Sequence, residues 1–229
     1  MRFAAVIALG ALASVATMTT AAADPYGAII GGTAFFVGGV PVEIDANINP
    51  TCNTTQGTCD RGTIWTNPGF RFGAAFGTTL DDGAIEFEAM FTRVTLRSFQ
   101  VPPGPVTPVN TGPGPSRANQ ITLMANLLLN MPGSGPEFYV GFGAGAATVA
   151  LNIPDAAIGP DGVDDRAWAP ALQAFLGFNF ATDGGAMVGL RYRLTGNLTP
   201  YHFTDNGGSP VRVLSHLVHG LELVVTFGR

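Results

Sequence analysis

The chain ends in GLELVVTFGR (residues 220–229), and the reading of this stretch decides the fold. Leu221, Leu223, Val225 and Phe227 take every second position, the period of a β-strand with one apolar face. The strand runs almost to the last residue, and its final large side chain is aromatic. The same period recurs upstream. GFRFGAAFG (69–77) sets Phe70, Phe72, Ala74 and Phe76 on one face, and AIEFEAMFTRV (84–94) does so with Ile85, Phe87, Ala89 and Phe91. QITLMANLLLN (120–130) and EFYVGFGAGAATV (137–149) follow, then APALQAFLGFNF (169–180) and AMVGLRYRLTG (186–196). With LSHLVHGLELVVTF (214–227) and a weaker GAIIGGTAFFVGG (27–39), eight candidate strands emerge. Ten or more residues per strand exceed the usual five or six and match a tilted strand that crosses a bilayer.

The connections alternate strictly. TTLDD (78–82), PGSGP (132–136) and ATDGG (181–185) are short and carry tight-turn chemistry. Residues 40–62, 98–118, 152–166 and 198–211 are long and show no periodic pattern. A soluble sandwich has no reason to alternate in this way. The pattern predicts an all-β, eight-stranded antiparallel up-and-down transmembrane β-barrel, with short periplasmic turns and long extracellular loops. Both termini then lie on the side of the short turns.

Composition agrees. The chain is 46% hydrophobic and 12% charged, yet beyond the N-terminus no segment reaches the length of a membrane helix. Residues 1–23 read as a cleaved secretory signal peptide: Arg2, an apolar stretch from Phe3 to Val15, and an Ala-x-Ala site at Ala21–Ala23. The barrel domain is then 24–229. Cys52 and Cys59 are expected to form a disulfide that closes a small loop in an exported protein.

The two strand faces differ in kind. Opposite the apolar residues stand glycines and a few charges: Arg71, Glu86, Glu88, Arg191, Arg193 and Glu222. These are too few to cover an outside and suit a narrow interior. Three arginines balance three glutamates, and burial demands that they pair. The turn at 78–82 is expected to set Arg71 opposite Glu88. Trp65 and Trp168 fall at the loop ends of their strands, whereas Phe138, Phe178, Phe180 and Phe227 fall near the turn ends, as two interfacial girdles would. Arg93 faces lipid but is placed to reach the outer headgroups. His219 faces lipid with no evident partner.

Other chemistries find little support. Ser215 and His216 are adjacent, so they point to opposite faces of a strand, and His219 and Glu222 also differ in parity. No nucleophile, base and acid converge, so an enzyme is not expected. GFGAGA (141–146) has no helix after it, which removes a dinucleotide site, and no cofactor is expected. Asp155, Asp161, Asp164 and Asp165 lack calcium-loop spacing and read as a solvated loop, so no metal is expected. No basic patch suits nucleic acid.

With FYVGFGAGAA (138–147), MVGLRYRLTG (187–196), HGLELVVTFGR (219–229) and the turn–loop alternation, the chain resembles the small eight-stranded outer-membrane β-barrel proteins. This is the opacity-type porin group, also similar to the barrel of outer membrane protein A. The resemblance implies a cell outer membrane location, contact with outer-membrane lipid and lipopolysaccharide, and a monomer. It also implies that the last strand is read by the β-barrel assembly machinery, with Phe227 as terminal aromatic and Gly220, Leu221, Leu223 and Val225 upstream. Two functions remain open: a structural, surface-exposed barrel whose loops meet an unknown extracellular ligand, or a narrow porin-like channel for ions or small solutes.

Overall fold

The structure, a computed structural model, describes residues 24–44, 61–100, 106–108, 116–131, 136–154, 162–208 and 210–228. The expected signal peptide at 1–23 and the expected Cys52–Cys59 disulfide lie outside the described residues, as do Asp155 and Asp161.

The strands are β1 (Pro25–Phe36), β2 (Val40–Ile44), β3 (Arg61–Thr66), β4 (Gly69–Leu80), β5 (Gly83–Gln100), β6 (Val106–Pro108) and β7 (Arg117–Met131). They continue as β8 (Glu137–Ile153), β9 (Val163–Ala181), β10 (Met187–Asn197), β11 (Tyr201–Thr204), β12 (Pro210–Val213) and β13 (Leu217–Phe227). Eight of them close on themselves in the order β1, β4, β5, β7, β8, β9, β10, β13, every pair antiparallel. The terminal strand β13 pairs with β10 on one side and with β1 on the other, and so closes the barrel. Closure leaves no barrel edge for lipid to desolvate.

The register fixes the shape. From Phe178 the hydrogen-bonded row runs through Leu190, Leu223, Gly31, Phe72, Phe91, Ile121 and Thr148. It returns to β9 at Trp168, ten residues from its start. A stagger of ten over eight strands, with ordinary strand spacings, gives a tilt of about 40° and a backbone radius of about 8 Å. Such an interior is filled by side chains rather than open.

The outward face is apolar and exposed, with Phe76 at 67% and Leu123 at 60%. It turns polar toward the loop side. On β7 the outward positions pass from Leu129, Leu127, Leu123 and Ile121 to Asn119 and Arg117; on β9 they pass from Leu172 and Trp168 to Arg166 and Asp164. The apolar stretch is about 20–30 Å tall at this tilt, which matches a bilayer core.

Two expectations are corrected here. The long connections are not patternless: β2, β3, β6, β11 and β12 lie within them, and β5, β7, β8 and β9 run to 15–19 residues. The order β11–β12–β2–β3–β5 makes a sheet that prolongs the barrel beyond the apolar band. Strands this short carry two or three side chains per face, too few for alternation to stand out from the sequence. The second correction concerns Arg71. Leu80 pairs with Gly83, so the turn is only Asp81–Asp82; Ala75 therefore faces Glu88, and Arg71 faces Thr92. The expectation had placed the turn too early and shifted the register.

Candidate functional site

The inward positions of the eight strands line the interior of the barrel. The structure brings all six candidate charges together there, each at most 3% exposed. Arg193 is the hub. Its guanidinium meets Glu88 (Nη2 to Oε2, 2.6 Å) and Glu222 (Nη2 to Oε2, 3.0 Å), and its Nη1 donates to Gln173 Oε1 at 2.6 Å. Arg191 lies 3.3 Å from Glu88 and 3.7 Å from Glu86, and its Nε donates to the Tyr139 hydroxyl at 3.1 Å. Arg71 reaches Glu222 at 3.2 Å, and its Nη1 and Nε make no aligned hydrogen bond.

Neutral side chains complete the layer. Asn126 donates to Glu86 at 3.1 Å, Gln173 donates to Asn126 at 2.6 Å, and Tyr26 donates to Glu86 at 3.2 Å. The Phe175 ring lies 4.4 Å from the Arg191 guanidinium carbon and 5.2 Å from that of Arg193, close enough for cation–π attraction. Phe175, Tyr139, Tyr26 and Asn126 were not singled out in the sequence. Parity was the available signal for Phe175: it shares the face of Gln173 and Asn179.

The charges fit because glycine stands beside them. Arg71 and Glu222 both face Gly32, Arg191 faces Gly177, Arg193 faces Gly220, and Glu86 faces Gly77. Only Glu88 lacks such a neighbour, having Ala75 and Met124. A methyl group on Gly177 would sit 2.5 Å from the Tyr139 hydroxyl, and one on Gly220 would overlap the Arg71 guanidinium. A long polar side chain that crosses a narrow lumen needs a neighbour with no side chain.

Above and below this layer the lumen is mainly apolar, with single polar side chains such as Thr92, Gln120 and Thr195 toward the loops and Asn179 toward the turns. Toward the turns, Tyr26, Ala84, Leu128, Tyr139 and Phe175 pack together. Toward the loops lies the largest cluster, built from the upper parts of β5, β8 and β9 and from β2, β11 and β12. The expected interior of glycine and charge is thus confined to part of the barrel. The outer part is a hydrophobic core, since outside the bilayer the sheet has water on its outer face and must bury its inner one.

The remaining candidates fall as follows. Phe138, Phe178 and Phe180 contact one another at the turn ends of β8 and β9, with centroids 5.9 and 5.4 Å apart. Phe227 is half exposed at the end of β13, as are its outward neighbours Leu221 and Leu223, while Val225 is partly buried and Gly220 faces inward. Trp168 is 61% exposed on β9, and Trp65 stands on β3 in the sheet extension rather than on a barrel strand. Arg93 lies on the row joining Phe70 to Asn119. His219, left without a partner by the sequence, has two: the Tyr192 hydroxyl at its Nδ1, and the Phe35 ring stacked at 5.4 Å.

No protein-family model matches the sequence, and no curated protein matches it. Solved structures share the fold. The crystal structure of the outer membrane protein OprG from Pseudomonas aeruginosa is similar with a TM-score of 0.58 at 12% identity, over 90% of this chain and 97% of that one. Neisserial surface protein A gives 0.48 at 12% identity, over 90% and 97%. The outer membrane protease OmpT from Escherichia coli gives 0.47 at 9% identity, over 91% and 99%. At these identities the likeness concerns the fold: the chain is a closed eight-stranded barrel of the outer-membrane type, consistent with an outer membrane location.

Proposed function

We propose that the chain is a structural outer-membrane barrel that presents its sheet extension and loops at the cell surface and holds no open pore. The observation that carries this reading is the ion-pair layer: six fully buried charges, balanced three against three, across an interior about as wide as two side chains. Ions or solutes would have to break buried pairs to pass, at several kcal/mol each.

Recordings in planar bilayers test it. The purified barrel should show no steady unit conductance, and Arg193→Met, which unhooks two glutamates at once, should raise the frequency of brief openings. Large, stable conductance of the unmodified protein would overturn the reading in favour of a narrow channel. That second reading draws on Arg71 Nε, Thr92 Oγ1 and Thr195 Oγ1, buried polar atoms without a hydrogen-bond partner among the described residues. Water beside them would thread past Arg71, and Arg71→Ala should then change conductance.

The reading is non-catalytic. His216 holds the Leu214 carbonyl at its Nδ1, while its neighbour Ser215 is exposed on the other side of the chain. The hydroxyl that His219 meets belongs to Tyr192, and among the described residues no carboxylate contacts either ring. Lipopolysaccharide is the proposed neighbour of Arg93 and Trp168, and the assembly machinery the proposed reader of β13. Phe227→Ala should accordingly lower the amount of heat-modifiable barrel in membranes severalfold.

A further inference from the structure

Above the apolar band the outward face changes character, and on one side of the barrel it turns basic. Asn119 on β7 faces Arg93 on β5, and Ala150 on β8 faces both Asn119 and Arg166 on β9. One step nearer the loops, Arg117 faces Thr95. Arg97 lies two residues beyond Thr95. It is exposed while its neighbour Leu96 is buried in the interior, so it too points outward. Four of the chain's 11 basic residues thus stand together on β5, β7 and β9, in a protein of net charge −5.

Height decides what this patch meets. The row that leaves β9 at Phe178 returns to it at Trp168, nearer the loops, so each strand step from β5 toward β9 climbs. At a tilt of about 40° the climb is about 3 Å per strand, and about 2.5 Å per residue along a strand. Arg97, Arg117 and Arg166 then share one level, about 8–10 Å above Arg93, with Trp168 at a level between. From Arg97 to Arg166 the belt is about 20 Å long on the sheet surface. Among the described residues none of the four guanidinium groups has an ion pair, whereas Arg212 on β12 holds Glu43 at 3.0 Å. Asp164, the outward acid on β9, stands a further ~5 Å out. Asp165 gives its two oxygens to the backbone amides of Arg166 and Thr204. Like charges on neighbouring strands repel, so the belt calls for an anion from outside the chain.

We propose that Arg97, Arg117 and Arg166, with Arg93 beneath them, form a binding site for a lipid of the outer leaflet whose head group carries two phosphates. Guanidinium groups grip phosphate through paired N–H donors, and a belt this long is wider than one phosphate. The acyl chains lie against Phe91, Ile121, Leu123 and Leu172, the outward apolar residues below the belt on the same strands. A soluble polyanion would use the charges and leave that apolar wall idle. The inference rests on the lipopolysaccharide contact proposed above for Arg93 and Trp168, and names the groups that make it specific. Conductance does not report on it.

The test is native mass spectrometry of the full barrel, folded in zwitterionic detergent, with lipid A in its diphosphoryl, monophosphoryl and fully dephosphorylated forms. The diphosphoryl form should bind most tightly and each lost phosphate should weaken it, while inorganic phosphate should not displace it. Arg117→Gln and Arg166→Gln should each weaken diphosphoryl binding about fivefold, the share of one arginine near an anionic lipid surface. Arg212→Gln, which removes the same charge outside the belt, should not. The heat-modifiable shift verifies that each variant is folded. Equal binding of all three forms would leave a lipid contact through the apolar face and overturn the arginine site. Equal binding of the diphosphoryl and monophosphoryl forms alone overturns the two-phosphate assignment, and displacement by inorganic phosphate overturns the lipid. A loss in Arg212→Gln as large as in Arg117→Gln reduces the belt to net charge and overturns it as a site.

Discussion

The two halves of the lumen are built on the same strands at the same tilt, yet they are filled by opposite means. On β8 the inward positions near the turns are Gly141, Gly143 and Gly145, and those near the loops are Ala147, Val149, Leu151 and Ile153. On β5 they are Glu86 and Glu88 below, Val94 and Leu96 above. In the charged half a few long side chains span the barrel, and the opposing strands give way with glycine. In the outer half, apolar side chains from every wall meet partway, and glycine gives way more rarely, as at Gly62 beside the Phe99 ring. The difference follows from the surroundings. Inside the bilayer the outer face must be apolar, so specificity and neutralisation are put inside; beyond it the barrel is an ordinary two-faced sheet with a hydrophobic interior.

The sharpest way to break this contrast is at Arg193. Arg193→Met removes the guanidinium that Glu88 and Glu222 share and leaves both buried with only the longer contacts to Arg191 and Arg71, so it should cost about 3 kcal/mol in urea unfolding from lipid vesicles. Arg71→Met should cost clearly less, because Glu222 keeps Arg193 and the Arg71 contact lacks aligned hydrogen bonds. Equal costs would mean that charge count, and not the Arg193 hub, governs the layer.

The outer half predicts a middling effect. Leu151 is 4% exposed and lines a cavity of about 50 Å³ in the outer half. Leu151→Ala should cost about 2 kcal/mol, the low end for a buried leucine, since part of its surroundings is already empty. A cost within ~0.5 kcal/mol, as at a surface position, would show that the outer half lacks a packed core.

The sequence showed the charged half more clearly than the outer half, and the reason is physical. Barrel strands in a bilayer must alternate over about ten residues, so the faces of Phe70 to Phe76 or Ile121 to Leu129 are unmistakable. Once the faces are known, Arg71, Arg191, Arg193, Glu86, Glu88 and Glu222 are inward by parity alone. Which charge meets which is another matter, because partners come from strands up to about 150 residues apart and depend on register. A turn misplaced by two residues moved Arg71 from Thr92 to Glu88. The outer half was illegible for a different reason: β2, β11 and β12 have only four or five residues each, and their apolar face is supplied jointly with β5, β8 and β9.

The smallest predicted effect is the most direct test of why the glycines are there. Gly143 faces Asn126 on one side and Gln173 on the other. A methyl group at Gly143 would lie 2.9 Å from Gln173 Cγ and overlap the Asn126 amide oxygen. Strand propensity alone favours alanine over glycine, so Gly143→Ala should stabilise if backbone preference rules. Both amides, however, are committed: Gln173 bridges Arg193 and Asn126, and Asn126 donates to Glu86. Moving either one disturbs the charge layer. The expected outcome is a loss of about 1 kcal/mol, at the low end for overpacking because the clashing groups are flexible side-chain ends. Shortening Asn126 to serine in the same chain should recover part of that loss. If Gly143→Ala instead stabilises the barrel, space for the polar layer is not what holds glycine at this position, and the contrast between the halves loses its explanation.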